Sequence, residues 1–324
     1  MRMIWIGAGA LIAALFVGVG LAFAPLVYAE LALSLAPLHI VMPQPLPPDP
    51  HAFDARPGPE KGRLVAGDWR VETLAPGTFA IGEPAGDLDN YEYLLVGADR
   101  ALLIDAGSSP RSLRPVLASL TDRPVTVIPT HLHFDHTLGL PNFDRIAMID
   151  EPQTRADVHD GRFTPAPLQF LMPHAPTVRV SDWIAPGQEI DLGGRVVRVL
   201  ATPGHTATSV SIWDPANRFL FTGDLIYPTT LFLFQPDSSL GAFTKTADRL
   251  LASLPPDTRL YGAHCCRGDA PPQAPWLSLS DLRDARDTVR LIRSGHAKSV
   301  GFILRRYPVN RLMTLETFYP FGNA

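Results

Sequence analysis

The chain has 324 residues and a formal net charge of −4. That length buries one sizeable core, and the slight acidic excess excludes the basic footprint of a nucleic-acid-binding protein. Its two cysteines, Cys265 and Cys266, are adjacent and exclude a disulfide framework.

The N-terminal stretch carries no charge from Met3 to Ala29, and Ile4 to Ala24 is apolar or glycine throughout. A helix of that length crosses a bilayer. Arg2 precedes the run and the next basic residue is Arg56. The positive-inside tendency then keeps the N-terminus cytoplasmic and exports the rest. Segment 1–29 reads as a transmembrane anchor, with the membrane as a partner. A cleaved signal peptide and a secreted domain are the alternative, because Val27-Tyr28-Ala29 resembles a small-residue cleavage site. Segment 30–60 combines an apolar run, Leu31 to Met42, with prolines at 43, 45, 47, 48, 50, 57 and 59. It reads as a stiff linker. Residues 61–324 then make one domain.

From Trp69 the pattern turns to short strands: Val71 to Leu74, Thr78 to Ile81, Tyr91 to Val96 and Ala101 to Ile104. Ser109 to Leu120 predicts a helix, with Pro110 in its first turn and Leu113, Val116, Leu117 and Leu120 as its apolar stripe. Val125 to Ile128 is β-branched and predicts a buried strand. Arg145 to Ile149 predicts a strand, Glu151 to His159 a short polar helix, and Gly161 to Val180 an irregular stretch. Arg195 to Leu200, Ser209 to Trp213 and Arg218 to Phe221 rebuild a sheet. Helices are expected at Leu240 to Leu254 and Leu279 to Arg293, and last strands near Val300 to Leu304 and Arg311 to Thr317. No internal repeat is visible.

The informative stretch follows the strand at Val125: Thr130-His131-Leu132-His133-Phe134-Asp135-His136. Imidazole and carboxylate suit zinc and related metals. On a loop past a strand end these side chains can converge on one point; a continuous strand or helix would not allow it for all four. Further candidates sit in similar places. His205 lies in Thr202-Pro203-Gly204-His205-Thr206, Asp224 ends Phe221-Thr222-Gly223-Asp224, and His264 ends Tyr261-Gly262-Ala263-His264. Each follows a short apolar run. Such loops build a site along one edge of a sheet or sandwich.

These motifs, in this order, resemble the metallo-β-lactamase superfamily. Leu103-Ile104-Asp105-Ala106-Gly107 is similar to its first motif, and the likeness runs from about residue 70 to 265. The resemblance implies an α+β fold, a four-layer αβ/βα sandwich, here preceded by the transmembrane helix. It implies two divalent metal ions, most simply zinc. His131, His133 and His205 would hold one, Asp135, His136 and His264 the other, and Asp224 would bridge them. Water activated on such a pair attacks a carbonyl. Asp135 would also orient the nucleophile and move a proton to the leaving group. Asp105 is a candidate partner for a histidine ligand; a turn carboxylate bonding local backbone is the other reading.

Departures within the superfamily narrow the activity. True zinc β-lactamases lack an aspartate at the position of Asp224. The flavo-diiron oxygen reductases carry glutamate where this chain has His133. The RNA-cleaving branch carries an insertion that is absent between Asp224 and His264. What remains resembles glyoxalase II and the lactonases, so the expected substrate is a small molecule, an ester, lactone or thioester. A mononuclear iron persulfide dioxygenase and a non-catalytic metal-binding scaffold are the alternatives. Leu225 to Phe234 and Leu168 to Met172 are expected either to wall an apolar acyl substrate or to pack as core loops. Tyr227 is a candidate donor to the substrate carbonyl, and His174 a candidate substrate contact. Cys265 and Cys266 read as small buried residues rather than thiolate ligands.

Overall fold

Two sheets of mostly antiparallel strands, each containing one parallel pair, build the domain. The computed structural model describes residues 63–318, apart from 67–68, 84–89, 109–110, 165–176, 236, 266–273 and 302–303. The expected membrane segment, the linker, Leu168 to Met172, His174 and Cys266 lie outside the described residues. Among the described residues no helix is long and apolar enough to cross a membrane.

The first sheet runs β1 (Arg63–Val65), β2 (Trp69–Ala75), β3 (Thr78–Gly82), β4 (Tyr91–Val96), β5 (Ala101–Ile104) and β6 (Val125–Ile128), in that order. Only β5 and β6 are parallel. A parallel pair needs a crossover, here carrying helix α1 (Arg114–Ala118). A connecting region follows: α2 (Phe134–Thr137), β7 (Ala147–Ile149), α3 (Pro152–Ala156), β8 (Val158–His159), β9 (Arg162–Phe163), β10 (Val178–Arg179) and β11 (Asp182–Ile184). The second sheet takes β12 (Glu189–Asp191), β13 (Val196–Ala201), β14 (Val210–Asp214) and β15 (Phe219–Gly223). After β16 (Thr230–Phe232) and α4 (Leu240–Ser253), β17 (Arg259–Gly262) returns parallel to β15, and β18 (Trp276–Ser278) completes the sheet. Helix α5 (Leu279–Arg293) and the strands β19 (Leu304–Pro308) and β20 (Thr314–Phe318) end the described chain.

Side-chain alternation separates two cores. In β5, Ala101 and Leu103 join a cluster with Val116 and Leu117 of α1, whereas Leu102 and Ile104 face the second sheet. There they meet Val197, Val199 and Ile212, and that core continues to Phe243, Ala247 and Leu250 of α4 and Leu282 and Val289 of α5. The result is the expected α+β sandwich of two mixed sheets. A part-buried arginine ties the sheets together. Arg195 donates to Gly77 O (2.8 Å), Thr78 Oγ1 (2.7 Å) and Asp214 Oδ2 (2.5 Å).

Several local expectations need correction, among them the helix expected at Glu151 to His159, which stops at Ala156 before β8. Helix α1 is shorter than Ser109 to Leu120, because Leu113 is its N-cap and Pro115 occupies its first turn. Proline lacks an N–H and suits that position. The metal-type loop is not all loop, since its second half forms the helical turn α2 with His133 as N-cap. Gly161 to Val180 is not wholly irregular, because β9 and β10 pair within it. For the site, the useful consequence is placement. The ends of β5, β6, β13, β15 and β17 lead to Asp105, His131, His205, Asp224 and His264 in turn.

Candidate metal centre

All seven donors named from the sequence come together, in two adjoining groups. His131, His133 and His205 form one; Asp135, His136, Asp224 and His264 form the other. Local structure explains the first four. The chain is extended through His133, whose ψ is 155°. It then coils for one turn, so Asp135 and His136 project beside the two earlier histidines. Thr137 Oγ1 donates to His133 O at 2.9 Å, and Val210 N donates to Thr130 O at 2.9 Å, fastening the loop to β14. Gly223, before Asp224, has φ +50°, and a Cβ there would collide with Thr130. Only glycine accepts both demands cheaply.

The donor atoms face one another. His131 Nε2 lies 2.8 Å from His133 Nδ1, which lies 3.0 Å from His205 Nε2. Lone pairs that close repel unless a cation or a proton stands between them. In the second group Asp224 is central. Its Oδ1 lies 3.1 Å from His264 Nε2 and 3.4 Å from His136 Nε2, and its Oδ2 lies 3.5 Å from His205 Nε2 in the first group. Asp135 Oδ2 lies 3.4 Å from His264 Nε2 and 3.6 Å from His136 Nε2. The two groups therefore share an edge at Asp224. The histidine and carboxylate set fits two divalent cations.

The far sides of the rings are held as well, which fixes tautomer and orientation. Asp105 Oδ2 lies 2.9 Å from His136 Nδ1. The same carboxylate accepts from Thr130 N (2.6 Å) and Thr130 Oγ1 (3.1 Å). Asp105 adopts φ +65°, unusual for a residue with a Cβ. Of the two readings the sequence left for this residue, the ring contact is present, and its backbone partner is Thr130, 25 residues along the chain, instead of its own turn. Thr130 Oγ1 also lies 3.2 Å from His131 Nδ1, and the Phe232 carbonyl accepts from His205 Nδ1 at 2.8 Å. Asn90 Nδ2 donates to Asp135 O at 2.6 Å.

Charge differs between the groups. Burial, then neighbouring histidines, push His131 and His133 well below the usual imidazole range. Burial also opposes protonation of His136, but Asp105, Asp135 and Asp224 outweigh it and hold that ring well above its usual value. For His264, burial is likewise outweighed, by Asp224 and then Asp135, and its pKa is raised. Asp224 is pushed the other way. Burial would raise it, yet His264 and His136 hold it well below the usual carboxylate range.

Tyr227 is buried, with its ring edge-on to His264 at a centroid distance of 5.0 Å. In this conformation it braces a histidine and faces protein. Leu231 and Leu233 are core residues, while Phe232 and Phe234 are half-buried and stacked edge to face at 5.3 Å. Cys265 is buried and disulfide-bonded, so it offers no thiolate. Sequence reasoning did not find Asn90, Thr130, the Phe232 carbonyl or Glu92. Glu92 is wholly buried on β4, and burial, then Glu83 and Asp105, hold its carboxyl well above the usual range. A glutamate between Tyr91 and Tyr93 reads locally as the wet face of a strand, and a backbone carbonyl carries no residue identity.

Comparison with known proteins agrees with this geometry. A family model described as the Metallo-beta-lactamase superfamily matches residues 86–264. Acyl-coenzyme A thioesterase MBLAC2 of Homo sapiens is 31% identical over 221 residues, spanning 58% of this chain and 77% of that protein. Hydroxyacylglutathione hydrolase of Trichodesmium erythraeum is 31% identical over 187 residues, spanning 54% of this chain and 64% of that protein. Among solved structures, a metallo-beta-lactamase from Pontibacter korlensis aligns with a TM-score of 0.52 at 18% identity, over 68% of this chain and 99% of that one. A beta-lactamase domain protein from Burkholderia ambifaria aligns with a TM-score of 0.51 at 21% identity, over 76% and 80% respectively. These two likenesses bear on the fold.

Proposed function

The chain belongs to the metallo-beta-lactamase superfamily, and from that premise we propose that it is a binuclear metal-dependent hydrolase of acyl thioesters. One observation carries the proposal: seven donors in two groups that share an edge at Asp224. Thioesters are preferred over lactones and simple esters because the relatives named above act on acyl-coenzyme A and hydroxyacylglutathione.

In this reading His131, His133 and His205 would hold one ion, Asp135, His136 and His264 would hold the second, and Asp224 would serve both. Two such ions, zinc by the donor chemistry, supply activated water at neutral pH and a Lewis acid for the carbonyl. The chain's own residues do the remainder. Asp105 and the Phe232 carbonyl hold the rings of His136 and His205 in register. Asp135 is more exposed than Asp224, 13% against 5% of the side chain, and is the carboxylate able to pass a proton to a leaving group. Phe232, whose carbonyl meets His205, and its ring partner Phe234 are half-buried and offer apolar surface to an acyl group. The uncharged run from Met3 to Ala29 supports a second part of the proposal, a catalytic domain tethered at a membrane on its exported side.

The test is metal analysis of the full chain together with turnover of acyl-coenzyme A thioesters, a lactone, a simple ester and a β-lactam. Two zinc ions per chain and thioester turnover that a chelator abolishes and zinc restores are expected. One iron per chain without thioester turnover, or no metal at all, would overturn the assignment.

A further inference from the structure

The family match ends at residue 264, yet one of the candidate ligands is held from beyond it. Strand β16 belongs to a sheet of three, in the order β16, β20, β19. Among the described residues β20 is its ladder partner, in register Thr230 with Thr314, Leu231 with Leu315 and Phe232 with Glu316. Thr314 N donates to Thr229 O at 3.2 Å, and Leu233 N donates to Glu316 O at 2.9 Å. The hydroxyls of Thr230 and Thr314 lie 3.0 Å apart. Backbone groups alternate along a strand. With Thr229 and Leu233 turned to β20, the carbonyl of Phe232 points to the opposite edge, where His205 Nδ1 meets it at 2.8 Å.

The hairpin of β19 and β20 is itself anchored. Leu312, Met313 and Leu315 sit in the main core beside Leu231 and Leu233. Arg306 Nε donates to the buried Glu316 carboxylate at 2.6 Å. The loop that carries His205 is clasped from the same side, because Ser238 Oγ donates to His205 O (2.6 Å) and Ser239 N to Gly204 O (2.9 Å).

We propose that the C-terminal hairpin, residues 304–318, is a positioning element of the metal centre. It holds β16 so that the Phe232 carbonyl takes the Nδ1 proton of His205. That leaves the Nε2 lone pair of His205 facing His133 and Asp224. The role is confined to the His131, His133 and His205 group, because β16 makes no such contact with the other four donors. The inference rests on the metal-centre reading above, and the experiment separates the two.

The full chain is titrated with zinc against a chromophoric chelator, and its imidazole rings are followed by nitrogen-15 NMR. The wild type is expected to bind two zinc ions with His205 as the Nδ1–H tautomer. Thr314→Pro removes the N–H that joins β20 to Thr229. It should weaken one zinc site by about 10- to 100-fold and leave the other unchanged. Leu117→Ala, a core truncation in α1, should lower stability and leave both affinities alone. Equal affinities in wild type and Thr314→Pro, or an equal loss in Leu117→Ala, would overturn the role. If Thr314→Pro does not fold, the wild-type tautomer decides, and a His205 ring protonated on Nε2 overturns the role. A wild type that binds no zinc overturns the metal centre itself.

Discussion

The two sheets contribute to one site in different ways. The first delivers His131, His133, Asp135 and His136 from a single short loop, while the second delivers His205, Asp224 and His264 singly, after three different strands. A cluster within six residues needs little loop closure to assemble. The dispersed three depend on strand register, on a glycine packed against Thr130, and on a carbonyl held by a hairpin some eighty residues further along the chain. The first sheet therefore supplies four donors with their ring partners Asp105 and Thr130 close by, and the second supplies three donors aligned from separate strands. Changes far from the centre should act mainly through the second.

The strongest test of this contrast is Asp224→Ala. Asp224 stands within 3.5 Å of a histidine in each group, so its loss should reduce metal content in both and bring turnover to background. Metal analysis with steady-state kinetics measures this. One fully occupied site with activity retained would separate the groups and remove the shared edge.

A smaller effect tests whether the sheets unfold together. Glu72 lies on β2 of the first sheet, and its Oε1 accepts from Ala274 N, next to β18 of the second, at 2.9 Å. Burial raises its pKa from 4.5 to about 7, against the lowering effects of the Ala274 N–H and Arg70. The folded state thus keeps a proton that the unfolded chain releases near pH 4.5. This contribution is full below that pH and is lost as pH rises through about 7. Its size is up to about 3 kcal/mol. Glu72→Gln should flatten that fall. Urea unfolding from pH 4.5 to 8, followed by tryptophan fluorescence and by circular dichroism, should show one transition moving as a unit. Two transitions that respond differently to pH would mean two independent halves.

The smallest of the three is Asp105→Ala. It removes the partner of His136 and leaves the other group's ring contacts in place, apart from Thr130. Zinc affinity of the Asp135, His136, Asp224 and His264 group should fall by about 10- to 100-fold. Competition with a chromophoric chelator would show it, and equal weakening at both sites would blur the distinction drawn here.

Much of the fold was legible where local signals agree. Helix α5 spans Leu279 to Arg293 as expected, because apolar periodicity coincides with a capping box at Ser278 and Asp281. Strands β4 and β5 match the expected bounds because both of their faces are buried; apolar residues run without a break in β5, and only Glu92 interrupts them in β4. Helix α1 was overextended because its periodicity continues past the point where Leu113 and Pro115 set the start. The turn α2 was missed because a run of ligands carries no apolar period.

The donors themselves follow from residue identity and spacing, which are local properties, so the sequence alone determined which seven side chains to watch. It could not determine which nitrogen of each ring faces inward. That choice depends on the group opposite the other nitrogen: Asp105 for His136, Thr130 for His131 and a backbone carbonyl for His205. Those partners lie one to about thirty residues away and meet the rings only when the strands pair, so only the tertiary structure decided them.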